Sequence, residues 1–128
     1  MKLKLSKEAG GIIIPRVVLT GPRGILRVNL ILDTGAAYTM IDWDTAIALG
    51  YDPARQRKSL AIVTANGKIQ TPLISIEKIS ILGATAQRIP AICHDIPEMI
   101  EVSGLLGLSF LKHFKTTIDY PALSLSIS

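Results

Sequence analysis

The chain has 128 residues, of which 48% are hydrophobic and only 19% charged, a balance that excludes intrinsic disorder and allows a buried core without disulfide or metal staples. Aromatic residues make up just 5%, and the remaining apolar content is aliphatic and largely β-branched, in short runs punctuated by Gly, Pro and Asn. That pattern predicts a mostly β fold, read as one domain over residues 1–128, and the +4 net charge is scattered without interleaved aromatics, so no nucleic-acid partner is expected.

Residues 2–6 alternate and predict a first strand, with Lys2 and Lys4 on its wet face. Two apolar runs, 12–20 and 25–32, flank Gly21-Pro22-Arg23-Gly24 and predict a hairpin. The second run leads directly into Asp33-Thr34-Gly35-Ala36. A short strand is expected over 38–41, then a small helix through Leu49, capped by Asp42 or Asp44 and ended by Gly50. Arg55, Arg57 and Lys58 fall in a loop and read as solvated charge. The runs 59–64 and 68–74 flank Ala65-Asn66-Gly67, and Asn-Gly in that setting predicts a type I′ hairpin turn, with positive φ at both central residues. Another pair of strands, 74–82 and 85–93, turns at Gly83-Ala84. Gly104-Leu105-Leu106-Gly107 is followed by a short helix over 108–114. The tail carries a strand over 116–119, a turn at Tyr120-Pro121-Ala122, and an alternation over 123–128 that puts apolar side chains on one face and hydroxyls on the other. Such a strand can pair in its own sheet or with another chain.

Cys93 is the lone cysteine, so nothing demands an oxidising compartment. The N-terminal residues are charged, and no apolar segment approaches the length of a membrane span. A soluble cytoplasmic protein with no membrane partner is the expectation. Cys93 and His94 are adjacent and point to opposite faces of a strand, which makes a poor nucleophile pair. With His113 they lack metal-ligand spacing. Neither a Gly-rich phosphate loop nor a Gly-x-Ser-x-Gly turn occurs, so no metal and no cofactor are expected.

The chemistry concentrates at Asn29-Leu30-Ile31-Leu32-Asp33-Thr34-Gly35-Ala36. A lone Asp after three apolar residues is expected at the end of a buried strand, where low dielectric disfavours an isolated charge. The Thr that follows can hydrogen-bond, and the Gly lets the backbone turn tightly. These are the features needed where two carboxylates approach closely and share one proton.

Asp33-Thr34-Gly35-Ala36 behind an apolar strand resembles the active-site motif of retropepsin-like aspartic peptidases, closest to small cellular and bacterial members. The resemblance continues in order through Ala46 to Gly50, the Ala65-Asn66-Gly67 hairpin and Gly104-Leu105-Leu106-Gly107-Leu108-Ser109-Phe110-Leu111, covering residues 25–127. It implies a closed acid-protease barrel with one or two short helices, completed as a homodimer. It also implies an endopeptidase acting on extended peptide or protein substrates, with Asp33 as the catalytic carboxylate. Thr34, Gly35 and Ala36 would support the catalytic loop, with Thr34 hydrogen-bonding across the interface. Ala65, Asn66, Gly67 and Lys68 would form a flap over the bound peptide, although an ordinary surface hairpin suits Lys68 equally well.

Two aspartates are needed for that chemistry, and Asp42, Asp44, Asp95 and Asp119 all lack the Thr-Gly context. The implied partner is therefore Asp33 of a second copy. Two departures stand out. Ala37 follows Ala36, whereas retroviral members carry close by an acidic residue that binds substrate main chain, and the segment ahead of the motif is longer than in the smallest viral enzymes, so the same interleaving of termini does not follow. A non-cleaving dimer that binds peptides or proteins is the alternative function, and a structural β domain in which Asp33 caps a turn is a third.

Overall fold

The computed structural model describes residues 2–8, 11–96 and 101–128. The alternation at the start is present but belongs to two strands: β1 (Lys2–Lys4) and β2 (Ser6–Glu8) enter different sheets. Leu5, buried between them, donates its N–H to the Leu123 carbonyl at 2.7 Å. The chain thus changes sheets while Leu3 and Leu5 both stay in the core.

β3 (Gly11–Gly21) and β4 (Gly24–Leu32) form the expected hairpin, with Gly21 paired to Gly24. Their register shifts between Ile14 and Val17. Pro15 has no N–H to give the ladder, and Arg16, at φ 55°, donates its N–H to Asn29 Oδ1 at 3.2 Å. β5 (Thr39–Ile41) precedes helix α1 (Trp43–Ala48). Asp42 rather than Asp44 is the cap, accepting the Thr45 N–H at 2.8 Å. A single 3-10 turn, Pro53–Arg55, follows; the sequence pattern did not reveal it.

β6 (Ser59–Thr64) pairs with the first part of β7 (Gly67–Ile81), and β8 (Ala84–Cys93) pairs with the rest. The two strands expected over 68–74 and 74–82 are therefore one, 15 residues long. Pro72, which cannot donate a ladder bond, sits where β7 exchanges β6 for β8. Because Ile81 pairs with Ala84, the β7–β8 turn is centred on Leu82 and Gly83, one residue earlier than expected.

Next come β9 (Gly104–Leu106) and helix α2 (Leu108–Leu111), the latter shorter than the expected 108–114. β10 (Thr116–Asp119) and β11 (Ser124–Ile127) close the chain. One sheet has the order β1-β11-β10; the other runs β2-β3-β4-β9-β5-β8-β7-β6, with β3 also paired to β7. β11, which the alternation left open to pairing with another chain, has both edges occupied by β1 and β10 of its own chain. The mostly β architecture with two short helices is thus as expected. Its core centres on Ile14, Leu30, Ile41, Ile76, Leu106 and Phe110, all fully buried. Among the described residues, no helix is long and apolar enough to cross a membrane.

Candidate active site

β9 lies between β4 and β5, parallel to the first (Ile31↔Leu105, Leu32↔Leu106) and antiparallel to the second (Met40↔Leu105, Ile41↔Gly104). The segment joining β4 to β5 carries Asp33-Thr34-Gly35-Ala36 and must therefore cross the end of β9. Two main-chain bonds hold it there. Asp33 N–H donates to the Leu106 carbonyl at 3.0 Å, and Leu108 N–H donates to the Ala36 carbonyl at 2.8 Å. Gly107 lies beneath the crossing, where a Cβ would stand 2.6 Å from the Tyr38 carbonyl oxygen and 2.8 Å from that of Ala36. A side chain would push the loop away from its support.

Within the loop, Gly35 N–H donates to Asp33 Oδ1 at 3.0 Å, and Ala36 N–H reaches the Asp33 carbonyl at 3.4 Å. This local turn orients the carboxylate through a charge-assisted bond. Asp33 itself is only half-buried, because β4 reaches the surface where it ends, so the buried carboxylate expected from the sequence is not met within one chain. Thr34 is exposed, and its hydroxyl has no hydrogen-bond partner among the described residues. Gly35 is exposed and Ala36 half-buried.

Below this loop lies a polar pair that motif reading missed. Thr39 and Ser109 are buried. Thr39 N–H donates to Ser109 Oγ at 2.9 Å, Ser109 Oγ donates to Thr39 Oγ1 at 3.0 Å, and Gly107 N–H donates to Thr39 Oγ1 at 3.1 Å. The start of β5 is thereby bonded to the β9–α2 junction that supports Asp33. Ser109 falls inside the segment that carries the family resemblance, but an isolated hydroxyl in a sequence signals no partner 70 positions away.

An apolar pocket of about 430 Å³ opens beside the loop. Ala36, Ala37 and Tyr38 form one side, Ile62 of β6 another, and Met40 and Ile92 the floor. Ala37 lines it with a methyl group, so this wall offers no carboxylate to a ligand. The β6–β7 hairpin stands at the other side. Thr64 pairs with Gly67, so the turn consists of Ala65 and Asn66, and Gly67, at φ 108°, opens β7. The Asn-Gly signal thus locates the hairpin, while the central pair lies one residue earlier. Lys68, opposite Val63, is exposed. Among the described residues, no three His, Cys, Asp or Glu side chains converge as a metal site would require.

The family described as "gag-polyprotein putative aspartyl protease" matches residues 24–113, which include the Asp33 loop, the hairpin and the β9–α2 junction. An uncharacterized protein in the cobV 5′ region of Sinorhizobium sp. is 31% identical over 85 residues, 66% of this chain. The chain matches only 36% of that relative's length. The crystal structure of a retropepsin-like aspartic protease from Rickettsia conorii superposes with a TM-score of 0.71 at 19% identity, covering 99% of this chain and 90% of that one. That likeness shows the fold. With a family match over most of its length and this architecture, the chain belongs to the retropepsin-like aspartic peptidases of the gag-polyprotein type.

Proposed function

We propose that the protein is an aspartic endopeptidase in which a water is activated between the Asp33 carboxylates of two identical subunits. One observation carries the reading: a half-buried Asp33, oriented by the Gly35 N–H at 3.0 Å, ends a strand beside an apolar cleft and has no carboxylate partner among the described residues of its own chain. A second copy related by a two-fold axis supplies that partner. Two carboxylates brought together hold one proton between them. The ionised one takes a proton from water as it attacks the scissile carbonyl. The protonated one donates to the carbonyl oxygen, and the proton gained then passes to the leaving nitrogen.

The remaining site residues take roles consistent with their surroundings. Gly35 and Ala36 hold the loop, and the exposed Thr34 hydroxyl is available to the other subunit's loop. The hairpin around Ala65, Asn66, Gly67 and Lys68 closes over an extended peptide that hydrogen-bonds through its main chain. The β3–β7 pairing brings the strand order back on itself, which supports reading the larger sheet as a closed barrel and residues 1–128 as one peptidase unit.

Asp33→Asn tests the reading. The variant is expected to keep its melting temperature and oligomeric state while cleavage of a peptide library falls at least about a thousandfold. Unchanged cleavage sinks the dyad. A protein that remains monomeric at every concentration while cleaving sinks the shared site. Peptide binding by a parent that never cleaves assigns the cleft to a binding module.

A further inference from the structure

The apolar pocket beside the Asp33 loop does not end at Ile92. In the β7–β8 register Ile92 lies directly opposite Leu73, and Pro90 opposite Ser75. Directly opposed residues share one face of a sheet. Leu73, Ser75 and Pro90 floor a second groove of about 540 Å³ whose rim is Arg55, Arg57 and Lys58. A single residue, Ser59, separates that rim from Leu60, which lines the apolar pocket. The two depressions thus form neighbouring stations along one surface, apolar near Asp33 and cationic farther out.

The charges on the rim are largely uncompensated. Arg55 meets Asp52 at 3.4 Å, in a solvated pair. Arg57 and Lys58 have no acidic partner among the described residues, and both are exposed. The Leu73 N–H is already committed to the Lys58 carbonyl at 3.0 Å, so the rim's backbone is tied to the groove floor while its side chains remain available. Lys58 precedes Leu60 by two positions, about 7 Å at the roughly 3.3 Å rise per residue of an extended chain, so the cationic rim stands about two peptide residues from the near edge of the apolar pocket.

Resting on the reading of the cleft as a peptide-binding site, we propose that the groove edged by Arg57 and Lys58 selects substrates whose apolar core is flanked, a few residues away, by Asp or Glu. The occupant is an acidic peptide flank, which this rim complements in charge. In a two-fold dimer each subunit presents one such groove, so acidic residues on either flank are recognised. Exposed ion pairs are individually weak, and the preference fades as salt screens it.

The test uses peptides with one apolar core flanked by Glu-Glu or by Gln-Gln. Binding is read by fluorescence anisotropy on Asp33→Asn protein, and cleavage on the parent. The Glu-flanked peptides are expected to bind and be cleaved about fivefold better at low salt. The ratio should fall close to one in Arg57→Gln/Lys58→Gln, and should persist in Lys2→Gln/Lys7→Gln, which removes as much charge elsewhere. Equal handling of both peptides by the unsubstituted groove overturns the proposal, as does a preference that survives Arg57→Gln/Lys58→Gln or vanishes equally in Lys2→Gln/Lys7→Gln. An oligonucleotide that outcompetes the Glu-flanked peptide, with Arg57 and Lys58 required, reassigns the groove to nucleic acid and also overturns it. A parent that binds Glu-flanked peptides selectively but cleaves none leaves this selectivity standing and removes only the peptidase reading.

Discussion

Two segments face the same cleft and are held in opposite ways. The Asp33 loop is fastened at both ends to β9 and α2, and beneath it the Thr39–Ser109–Gly107 bonds lie in the buried interior. The β6–β7 hairpin pairs with itself from Ser59 to Pro72, and Val63, near its tip, is 78% exposed. A lone two-stranded ribbon is marginally stable in water, so this hairpin belongs to the low-stability end of the molecule. The contrast suits the proposed chemistry. Carboxylates must be held within fractions of an ångström of their working positions, whereas a cover has to open for a polypeptide to enter.

The largest effect expected from breaking this contrast is at Gly107. A Cβ there would press on the Ala36 and Tyr38 carbonyl oxygens at 2.8 and 2.6 Å. Neither oxygen belongs to a flexible side chain that could swing aside. Gly107→Ala is expected to destabilise the fold by about 3 kcal/mol, seen as a melting temperature about 10 °C lower. A change of less than about 2 °C in calorimetry would mean that the loop can lift from its support at little cost.

Next in size is Thr39→Val, which keeps the shape of the side chain but strands the buried Gly107 N–H and deprives Ser109 Oγ of its acceptor. The expected loss is about 2 kcal/mol, near the cost of leaving a buried polar group unsatisfied. Thr39→Ser should restore most of it. Ser109→Ala combined with Thr39→Val should cost less than the sum of the two single changes, because both act on one network. Strict additivity in denaturant unfolding would argue against a coupled pair.

This network also marks how far the sequence could be read. Asp33-Thr34-Gly35-Ala36 and Gly104-Leu105-Leu106-Gly107 were legible because local chemistry writes itself into short strings: an apolar strand end, a turn, a glycine at a close approach. The hairpins were legible for the same reason, with errors of one residue at Asn66-Gly67 and at Leu82-Gly83, since neighbouring turn-formers compete for the same corner. Thr39 and Ser109 are 70 residues apart and ordinary in isolation, so only the folded backbone reveals that they are partners. The division of the first strand at Leu5 was invisible because the same buried–exposed alternation serves either sheet. Likewise Arg55, Arg57 and Lys58 read as plain solvated charge. The groove floor they overlook comes from Leu73 and Pro90, contributed by strands that follow later in the chain.

On the hairpin side the expected effects on stability are smaller. Gly67 takes φ 108° with open space around it, so Gly67→Ala suffers backbone strain but no collision. A loss of about 1 kcal/mol is expected, confined to the hairpin, with the global melting temperature nearly unchanged. If the hairpin covers the cleft, cleavage should nevertheless fall severalfold. A global unfolding penalty comparable to that of Gly107→Ala would erase the distinction between the two regions.

The smallest perturbation of stability gives the sharpest comparison, through thiol reactivity. Cys93 lies on β8 opposite Ile41, on the rigid side, and is buried. Burial, assisted by the nearby negative charge of Asp42, pushes its thiol up to about 12 from an ordinary value of 9.0. The thiolate is the reactive form, so Cys93 should resist a thiol reagent at pH 8 until the fold opens. The folded thiol holds its proton more tightly than the unfolded one. Its contribution to stability is therefore fully present below pH 9 and is lost as pH rises from 9 towards 12, where the unfolded chain ionises first. Val63→Cys, at an exposed position of the hairpin, should change stability by less than about 0.5 kcal/mol. That new thiol should label within minutes under conditions that leave Cys93 untouched. Occupation of the cleft by an uncleaved peptide should then slow labelling at position 63 if the hairpin closes on it, and leave the slow reaction of Cys93 limited by opening of the core.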